Sequence, residues 1–324
     1  MATTFDWEKV MTKYFDPKPA DNYFRSSTLL EWFRKFSRKR NFGNTWRETL
    51  ETTEGIADTY GELEVIDRSR KNLVHYADYE SGKYYAAMNV SWDDEKRSRS
   101  PEEKVDLMKL RQKNAIKGLN RKLEDHIAGG DGTSRAMVGL TTMISEAGTT
   151  SAGGINGAAA GFTYWVNKTT AIGGTVTLPD IIDMQAAASN GNGTTDVLAM
   201  DKYIQAYVWG NLLQAQERYT TGKFNMAEEL PMVIGLPIIT SSALEGDANT
   251  TGSTRTYDGG FTSGSIYFID KDGLFLAVNS QDDMKRWPTM RPVDQFVYST
   301  QWTFEGMLVM CERRTQGLLY NITV

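Results

Sequence analysis

One segment constrains this fold more than any other, because residues 100–130 carry the signals of a single long α-helix. Ser100 suits the N-cap, Pro101 suits the first helical position, and Glu103 completes a capping box. Apolar residues then recur at helical spacing until a glycine pair ends the pattern: Val105, Met108, Ile116, Leu119, Leu123, Ile127 and Gly129-Gly130. At about 1.5 Å per residue, a helix over about 101–127 is about 40 Å long, which predicts a structural beam.

The outward face of this predicted helix is basic. Its cations are Lys104, Lys109, Arg111, Lys113, Lys117, Arg121 and Lys122. They are placed to contact acidic groups of a neighbouring molecule or the phosphates of nucleic acid, while plain solvation explains them at least as well. The net charge of -5 argues against a protein that coats nucleic acid with its whole surface, and it is compatible with a local basic patch.

Residues 1–48 are rich in aromatic side chains and become basic toward their end. Four apolar residues share one predicted helical face and five cations crowd the remainder: Leu29, Trp32, Phe33 and Phe36, against Arg34, Lys35, Arg38, Lys39 and Arg40. This pattern predicts a short amphipathic helix or arm. Its cations either form a solvated face, or the arm packs against neighbours and offers them to nucleic acid.

Between residues 51 and 94 the pattern changes to short strand-like runs. Two of them, at 62–66 and 84–90, are separated by polar turns that include Ser81-Gly82, which predicts a long β-hairpin. Charged and aromatic residues alternate there without a continuous apolar face. Since an isolated hairpin is marginally stable at best, we expect this one to rest on another molecule, and a partner subunit is the natural candidate.

The rest of the chain predicts a mixture of helices and strands, and so an α+β fold. A Gly/Ala/Thr-rich stretch at 129–178 precedes two amphipathic helices, at 179–188 and near 201–219. A Gly/Thr/Asp-rich exposed loop is expected at 245–260. Strand-like runs lie at 196–200, 232–239, 265–269, 274–278, 296–302 and 307–311.

Motifs of catalysis and of metal or cofactor binding are missing from the sequence. It has no phosphate-binding Gly-x-x-x-x-Gly-Lys loop, no dinucleotide Gly-x-Gly-x-x-Gly and no Gly-x-Ser-x-Gly elbow. A single cysteine, Cys311, and two histidines, His75 and His126, argue against a disulfide framework and a Cys/His zinc site. Residues 270–273 faintly resemble a calcium loop, but a hairpin turn fits better. We therefore expect that the chain is not an enzyme, binds no cofactor and has neither a signal peptide nor a membrane span.

The order of these elements, together with local sequence, resembles the Hong Kong 97-type major capsid protein of tailed double-stranded DNA bacteriophages. As in one branch of these proteins, Gly153-Gly154-Ile155 precedes an aromatic run, which ends here in Tyr164-Trp165-Val166-Asn167. The branch more often has two Trp and then Arg-Asn, so Val166 is a departure. The other similar stretches are Thr195–Ala199 with the Tyr203/Tyr207 helix, 233–239, 265–270 and 311–317. The resemblance covers nearly the whole chain, and it depends on order and spacing more than on any single motif.

The resemblance implies a domain plan. It comprises an N-terminal arm (1–48), an extended hairpin loop (49–98), a peripheral domain (99–178) with its spine helix, an axial domain (179–287), and C-terminal strands (288–324) that return to both domains. It also implies that pentamers and hexamers of the chain close an icosahedral shell around packaged DNA, with each extended loop over a neighbouring subunit.

The implied partners are other copies of the chain, a separate scaffolding protein, a portal protein at one vertex, a cement or decoration protein, and DNA bound without sequence specificity. No membrane is implied, and the implied location is the virion capsid, assembled in the cytoplasm of a bacterial host. An encapsulin-like shell around cargo protein and a soluble β-rich enzyme or carbohydrate-binding protein stay open as alternatives.

Two sets of candidate site residues follow from the resemblance. The first would contact DNA phosphates on the inner face, and the second would contact other subunits: Arg34, Lys35, Arg38, Lys39 and Arg40, then Tyr76, Tyr79, Lys83, Tyr84, Tyr85, Lys109, Lys113 and Lys117. Some similar proteins fuse subunits through a Lys–Asn isopeptide bond, which invites comparison with Lys83. No motif identifies its Asn and Glu partners, so a free surface lysine is predicted.

Overall fold

The computed structural model describes residues 27–51, 59, 73–91, 101–189, 193–212, 221–225, 228–244, 264–290 and 297–323. Its helices are α1 Thr28–Lys35, α2 Pro101–Gly129, α3 Leu140–Met143, α4 Leu178–Ala188 and α5 Lys202–Tyr207, which continues as a π-helical turn Val208–Leu212. Its strands are β1 Arg38–Arg40, β2 Thr45–Glu51, β3 Val74–Glu80, β4 Gly82–Ser91, β5 Lys168–Gly174, β6 Val197–Met200, β7 Thr221–Asn225, β8 Glu228–Val233, β9 Leu236–Thr240, β10 Gly264–Ile269, β11 Leu274–Asn279, β12 Lys285–Arg286, β13 Val297–Met310 and β14 Gly317–Ile322.

These strands form two large sheets and one two-stranded ribbon. The first sheet has the order β1-β11-β13-β12, with β4 also paired to β13. The second has the order β5-β14-β10-β6-β9-β8-β7, and the ribbon pairs β2 with β3. Both β10 and β11 are buried along their whole length, which accounts for their continuous apolar runs.

The long predicted helix is confirmed as α2. Its apolar positions Leu119, Leu123 and Ile127 are buried, while Met108 lies exposed nearer the start. After the last turn, the N–H of Gly130 donates to the carbonyl of His126, as expected for a glycine that ends a helix. None of the helices in the described ranges is long and apolar enough to cross a membrane.

The amphipathic helix predicted in the arm is also confirmed, and it belongs to the core of the subunit. Leu29, Leu30, Trp32 and Phe33 of α1 are buried. Directly after it, β1 adds to the first sheet parallel to β11. The described end of the arm is therefore part of the folded subunit, and residues 1–26 lie outside the described part of the chain.

The extended-loop prediction is confirmed for the strand at 84–90, and the described strands of this region pair with partners that the prediction did not name. The described hairpin pairs β2 with β3, from Thr45 opposite Glu80 to Glu51 opposite Val74. The run at 84–90 is present in β4, but it pairs with β13 along ten residue pairs. Strand propensity is local, whereas the partner of a strand is chosen by the sheet it completes. The predicted strand at 62–66 lies outside the described residues.

Residues 270–273 are the second correction, because they do not form a hairpin turn. The N–H of Leu274 donates to the carbonyl of Asp270 over 2.9 Å, so the chain does turn. However, β10 on one side of the turn belongs to the seven-stranded sheet and β11 on the other belongs to the five-stranded sheet. The turn therefore connects the two sheets. A sequence pattern of two strands joined by a short turn is the same for such a connection and for a hairpin.

Two further strand boundaries differ from the prediction. The runs at 296–302 and 307–311 form the single strand β13, and the run at 232–239 is divided by a turn into β8 and β9. Ile234 and Gly235 both have positive φ in that turn, at 53° and 78°. The predicted helix at 179–188 is confirmed as α4, and the one near 201–219 is confirmed as far as residue 212.

Candidate interaction surfaces

The β2–β3 hairpin has one face toward the subunit and one toward solvent, as strand alternation requires. Trp46 and Tyr79 are buried, while Tyr76 is 57% exposed. Across from it, Arg47 donates two hydrogen bonds to the carboxylate of Asp78, and its guanidinium lies 5.5 Å from the Tyr76 ring. The solvent face therefore combines an aromatic ring with an ordered ion pair.

Tyr79 and Tyr84, both predicted as intersubunit contacts, are used inside the subunit. The Tyr79 hydroxyl donates to the carbonyl of Met310 over 2.8 Å, and the Tyr84 oxygen accepts from the N–H of Met137 over 2.9 Å. Burial raises the pKa of both phenols, that of Tyr84 to about 12. A side chain enclosed by its own subunit offers almost no surface to a neighbour, so these two tyrosines leave the candidate set.

Tyr85, by contrast, is 75% exposed on the opposite face of β4. Its cross-strand partner is Thr303, which is also the partner of Lys285. The Trp287 indole donates to Thr303 Oγ1 over 3.0 Å, and the Lys285 ammonium lies 4.7 Å from the Trp287 ring. Because cross-strand partners share a face, these side chains form one surface, which we call the outer sheet face.

Met290 extends the outer sheet face, since it bridges to Ser299 on the same side of β13. Sequence reasoning missed Lys285, Trp287 and Met290. Of these, only Lys285 lies in a strand, β12, whose two residues are too few for a periodic signal. Only the contacts with β13 place Lys285, Trp287 and Met290 on the same sheet face as Tyr85.

The lysines predicted on the spine helix lie on one stripe of α2, since residues 109, 113 and 117 are spaced by four. Lys109 and Lys113 are exposed, and Lys117 is half-buried. Nearby, Arg111 donates to the carbonyl of Asn89 over 2.6 Å, which ties the helix to the edge of β4. A subunit contact through this stripe stays a prediction.

Each of the five cations predicted to contact DNA has a partner within the subunit. Arg34 and Lys39 both reach the carboxylate of Asp283 at 2.6 Å, and their charges lower its pKa. The other three lie against rings: Lys35 near Phe36, Arg38 at 3.8 Å from the Phe275 centroid, and Arg40 near Trp46. Lys35, Arg38, Lys39 and Arg40 remain exposed, so the surface is positioned by the fold and still accessible.

Lys83 lies beside an asparagine and a glutamate that sequence reasoning did not identify. Its ammonium donates to Asn44 Oδ1 over 2.8 Å and lies 3.6 Å from Glu305 Oε1. Glu305 also accepts from Ser81 Oγ and Asn279 Nδ2. The Lys83 side chain is 48% exposed. These contacts are a hydrogen bond and an ion pair of a lysine ammonium, which has no lone pair to attack the Asn44 carbonyl, so the cluster favours an ion pair over an isopeptide bond.

We expect the denatured subunit to show no mass deficit of one ammonia relative to the Lys83→Arg variant, once the mass change of the substitution is subtracted. A Lys83–Asn44 isopeptide would release one molecule of ammonia and lower the mass accordingly. Lys83→Arg, which cannot form that bond, is the matched control. A wild-type mass deficit of one ammonia that disappears in the control would contradict the ion-pair interpretation.

Catalytic or metal-binding constellations are not found on these surfaces. Among the described residues, no group of three or more His, Cys, Asp or Glu side chains is arranged to hold a metal ion. Burial raises the pKa of the Cys311 thiol to about 12, which disfavours the nucleophilic thiolate.

No protein-family model and no curated protein matches the sequence. Solved structures match over nearly the whole chain. A chain of the cyanophage A-1(L) capsid has a TM-score of 0.67 at 11% identity, covering 98% of each chain. The capsid of a native GTA particle has a TM-score of 0.62 at 12% identity, covering 97% of this chain and 99% of that one. A chain of the holo-SrpI encapsulin complex from Synechococcus elongatus PCC 7942 has a TM-score of 0.61 at 8% identity, covering 98% of this chain and 95% of that one. At these identities the likeness establishes the fold, and the predicted α+β capsid fold is confirmed.

Proposed function

We propose that this chain, whose fold is that of the Hong Kong 97-type capsid subunit, is a structural shell protein of a tailed phage. In this proposal, pentamers and hexamers close an icosahedral shell around packaged double-stranded DNA, without catalysis. The observation that carries it is the match over 98% of both chains to the cyanophage capsid subunit. A match of that extent includes the hairpin and the long α2 helix as well as the two sheets.

The exposed aromatic surfaces support contacts between copies. Aromatic residues are enriched in interfaces and carry much of their binding energy. Tyr76 is exposed on the β2–β3 ribbon, and Tyr85 and Trp287 are exposed on the outer sheet face of a different sheet, so two elements of each copy offer aromatic contacts to neighbours. Closed symmetry then turns several modest contacts into a stable container, because each subunit is held at several places at once.

The basic surface around β1 supports the proposed contact with DNA. Arg38, Lys39 and Arg40 lie in consecutive positions on an edge strand and are exposed. Their partners are aromatic rings and one shared carboxylate, which leaves a net positive surface. Such cations contact phosphate without reading bases. A scaffolding protein during assembly, a portal protein at one vertex and a decoration protein remain proposed partners.

The encapsulin match favours a second candidate, a shell around cargo protein instead of DNA. Its TM-score of 0.61 is close to those of the phage capsids. Electron microscopy of the protein from its native source, with nucleic-acid and protein analysis of the particles, separates the two. Tailed particles that contain DNA support the phage capsid. Shells that contain cargo protein and no DNA support the encapsulin. Small oligomers without shells would contradict both.

Replacing Tyr85 with alanine should weaken assembly and leave the subunit fold intact. The side chain is largely exposed, so its removal costs the isolated subunit little. Loss of about 1–2 kcal/mol at a contact raises the concentration needed for assembly about tenfold. Sedimentation measures the shell fraction and thermal unfolding measures the subunit. Ile182→Ala, which removes an exposed apolar side chain from α4, is the control. Equal shell fractions for Tyr85→Ala and wild type would contradict the role of the outer sheet face.

A further inference from the structure

Glu124 is a carboxyl group buried where three separate segments meet. It lies in the last two turns of α2 and is 4% exposed. Its Oε1 accepts a hydrogen bond from Ser241 Oγ over 2.5 Å, just after β9. It also accepts from the backbone N–H of Leu29 in the first turn of α1. One side chain therefore links α2 to the N-terminal helix and to the seven-stranded sheet.

Other hydrogen bonds close the same junction. Thr28 Oγ1 donates to the carbonyl of Thr240, and the N–H of Ala243 donates to Ser241 Oγ over 3.1 Å. The N–H of Ser241 donates to the carbonyl of Met200 at the end of β6. We call this set, with Glu124 at its centre, the Glu124 junction. Through this junction, α2 contacts α1, which is followed by β1 of the five-stranded sheet, and it also contacts the end of β9 in the seven-stranded sheet.

The charges that act on Glu124 all disfavour its ionised form. Asp125 on α2 and Glu31 on α1 are both acidic, and residues 240–244 contain no ionisable side chain. Burial is the largest influence and, with these neighbours, raises the pKa of Glu124 to about 7 despite the two hydrogen bonds it accepts. The group therefore exchanges its proton near neutral pH.

We propose that the Glu124 junction is a proton-controlled latch between the spine helix, the N-terminal helix and the seven-stranded sheet. Protonated, the carboxyl is neutral and fits its enclosed site. Ionised, it places an uncompensated charge between three segments and favours their separation, which exposes the charge to water. The inference concerns a single subunit and does not rest on the proposed function.

Stability should depend on pH in a direction set by the raised pKa. An unfolded glutamate titrates near 4.5, so between that pH and about 7 the folded state binds the proton more tightly. The stabilisation is complete below pH 4.5 and is lost as pH rises through about 7. The difference corresponds to a decrease on the order of 100-fold in the folding equilibrium constant above pH 7.

The test compares wild type, Glu124→Gln and Asp183→Asn by urea unfolding from about pH 5 to about pH 8. The Glu124→Gln side chain keeps a hydrogen-bond acceptor and has no charge to gain. Asp183 is an exposed carboxyl on α4 that does not act on Glu124, so its variant is the control. We expect the folding equilibrium constant of wild type and of Asp183→Asn to fall on the order of 100-fold as pH rises, and that of Glu124→Gln not to show this fall. An equal slope in Glu124→Gln and wild type, or a Glu124→Gln protein less stable than wild type at about pH 8, would overturn the latch.

Hydrogen exchange measures the local effect at the Glu124 junction. A carboxyl that only fills space would not make amide protection depend on pH. After correction for intrinsic exchange, the amides of Leu29 and Ser241 should be more protected at about pH 5 than at about pH 8 in wild type, and equally protected in Glu124→Gln. Equal protection in wild type at both pH values contradicts the proposal. Both readouts concern the subunit alone, so their failure is distinguishable from a failure to form shells.

Discussion

Replacing Arg313 with alanine is expected to lower the free energy of unfolding by about 3–5 kcal/mol. The side chain is fully buried. Its Nη1 donates to the carbonyls of Thr150 and Trp165, and its Nη2 donates to Thr150 Oγ1. Alanine would leave these acceptors without donors and open a cavity the size of a guanidinium and its stem, and each loss is costly in the interior.

The charge of Arg313 makes this position informative. The groups it bonds are two carbonyls and a hydroxyl, and burial lowers its pKa to about 10. Arg313 therefore remains charged at neutral pH, and it donates hydrogen bonds to the backbone carbonyls of Thr150 and Trp165 in the Gly/Ala/Thr-rich stretch at 129–178. Arg313→Lys keeps the charge but lacks the fork of donors, so we expect it to recover only part of the loss.

Urea unfolding measures the effect, and the adjacent residue provides the control. Arg314 is exposed, so Arg314→Ala should change the free energy of unfolding by less than about 0.5 kcal/mol. If Arg313→Ala loses less than about 1 kcal/mol, the guanidinium does not organise residues 145–167 as its hydrogen bonds indicate.

The second large effect is expected at Gly130, where an alanine should cost about 3 kcal/mol. A Cβ there would lie 2.7 Å from the carbonyl oxygen of His126 and closer still to that of Met137. Both are backbone atoms of a tight pair of hydrogen-bonded segments, in which the N–H of Gly139 donates to the carbonyl of Gly130. Backbone held on both sides cannot move aside as a flexible side chain can.

Gly118 provides the opposite case on the same helix. A Cβ at this position meets nothing within 4 Å, so Gly118→Ala should stabilise the protein by about 0.5–1 kcal/mol through helix propensity. Thermal or urea unfolding of the two alanine variants should thus give shifts of opposite sign. Destabilisation of similar size at both positions would show that the packing around Gly130 is not the cause.

The success of sequence reasoning on α2 and its failure on strand pairing have one physical reason. The cap, the proline, the apolar spacing and the final glycines of α2 act within a few residues of one another, so they are visible in the chain itself. The partners of β4 and β11 lie far along the chain, and β13 continues through residues 303–306 because neighbouring strands pair with it there. The local sequence of residues 297–310 does not distinguish one long strand from two short ones.

The candidate surfaces show the same division. Alternation along a strand predicts that Tyr84 and Tyr85 face opposite ways, but not which of them faces the core. The packing of β4 against α2 decides this, since it buries Tyr84 beside His126 and leaves Tyr85 on the outer sheet face. The cations around β1 were identifiable from the sequence, while the carboxylate of Asp283 that Arg34 and Lys39 share was not.

The sequence by itself predicted the four longer helices, several strands including β6, β10 and β11, and the order of elements that carries the resemblance to a capsid fold, because propensity and periodicity act locally. Only the tertiary structure decided which strands share a sheet, which aromatic side chains remain exposed, and that Glu124 and Arg313 are enclosed. The hydrogen bonds of Glu124 and Arg313 join segments more than 100 residues apart, where burial and hydrogen bonding, and not local preference, set the free energy.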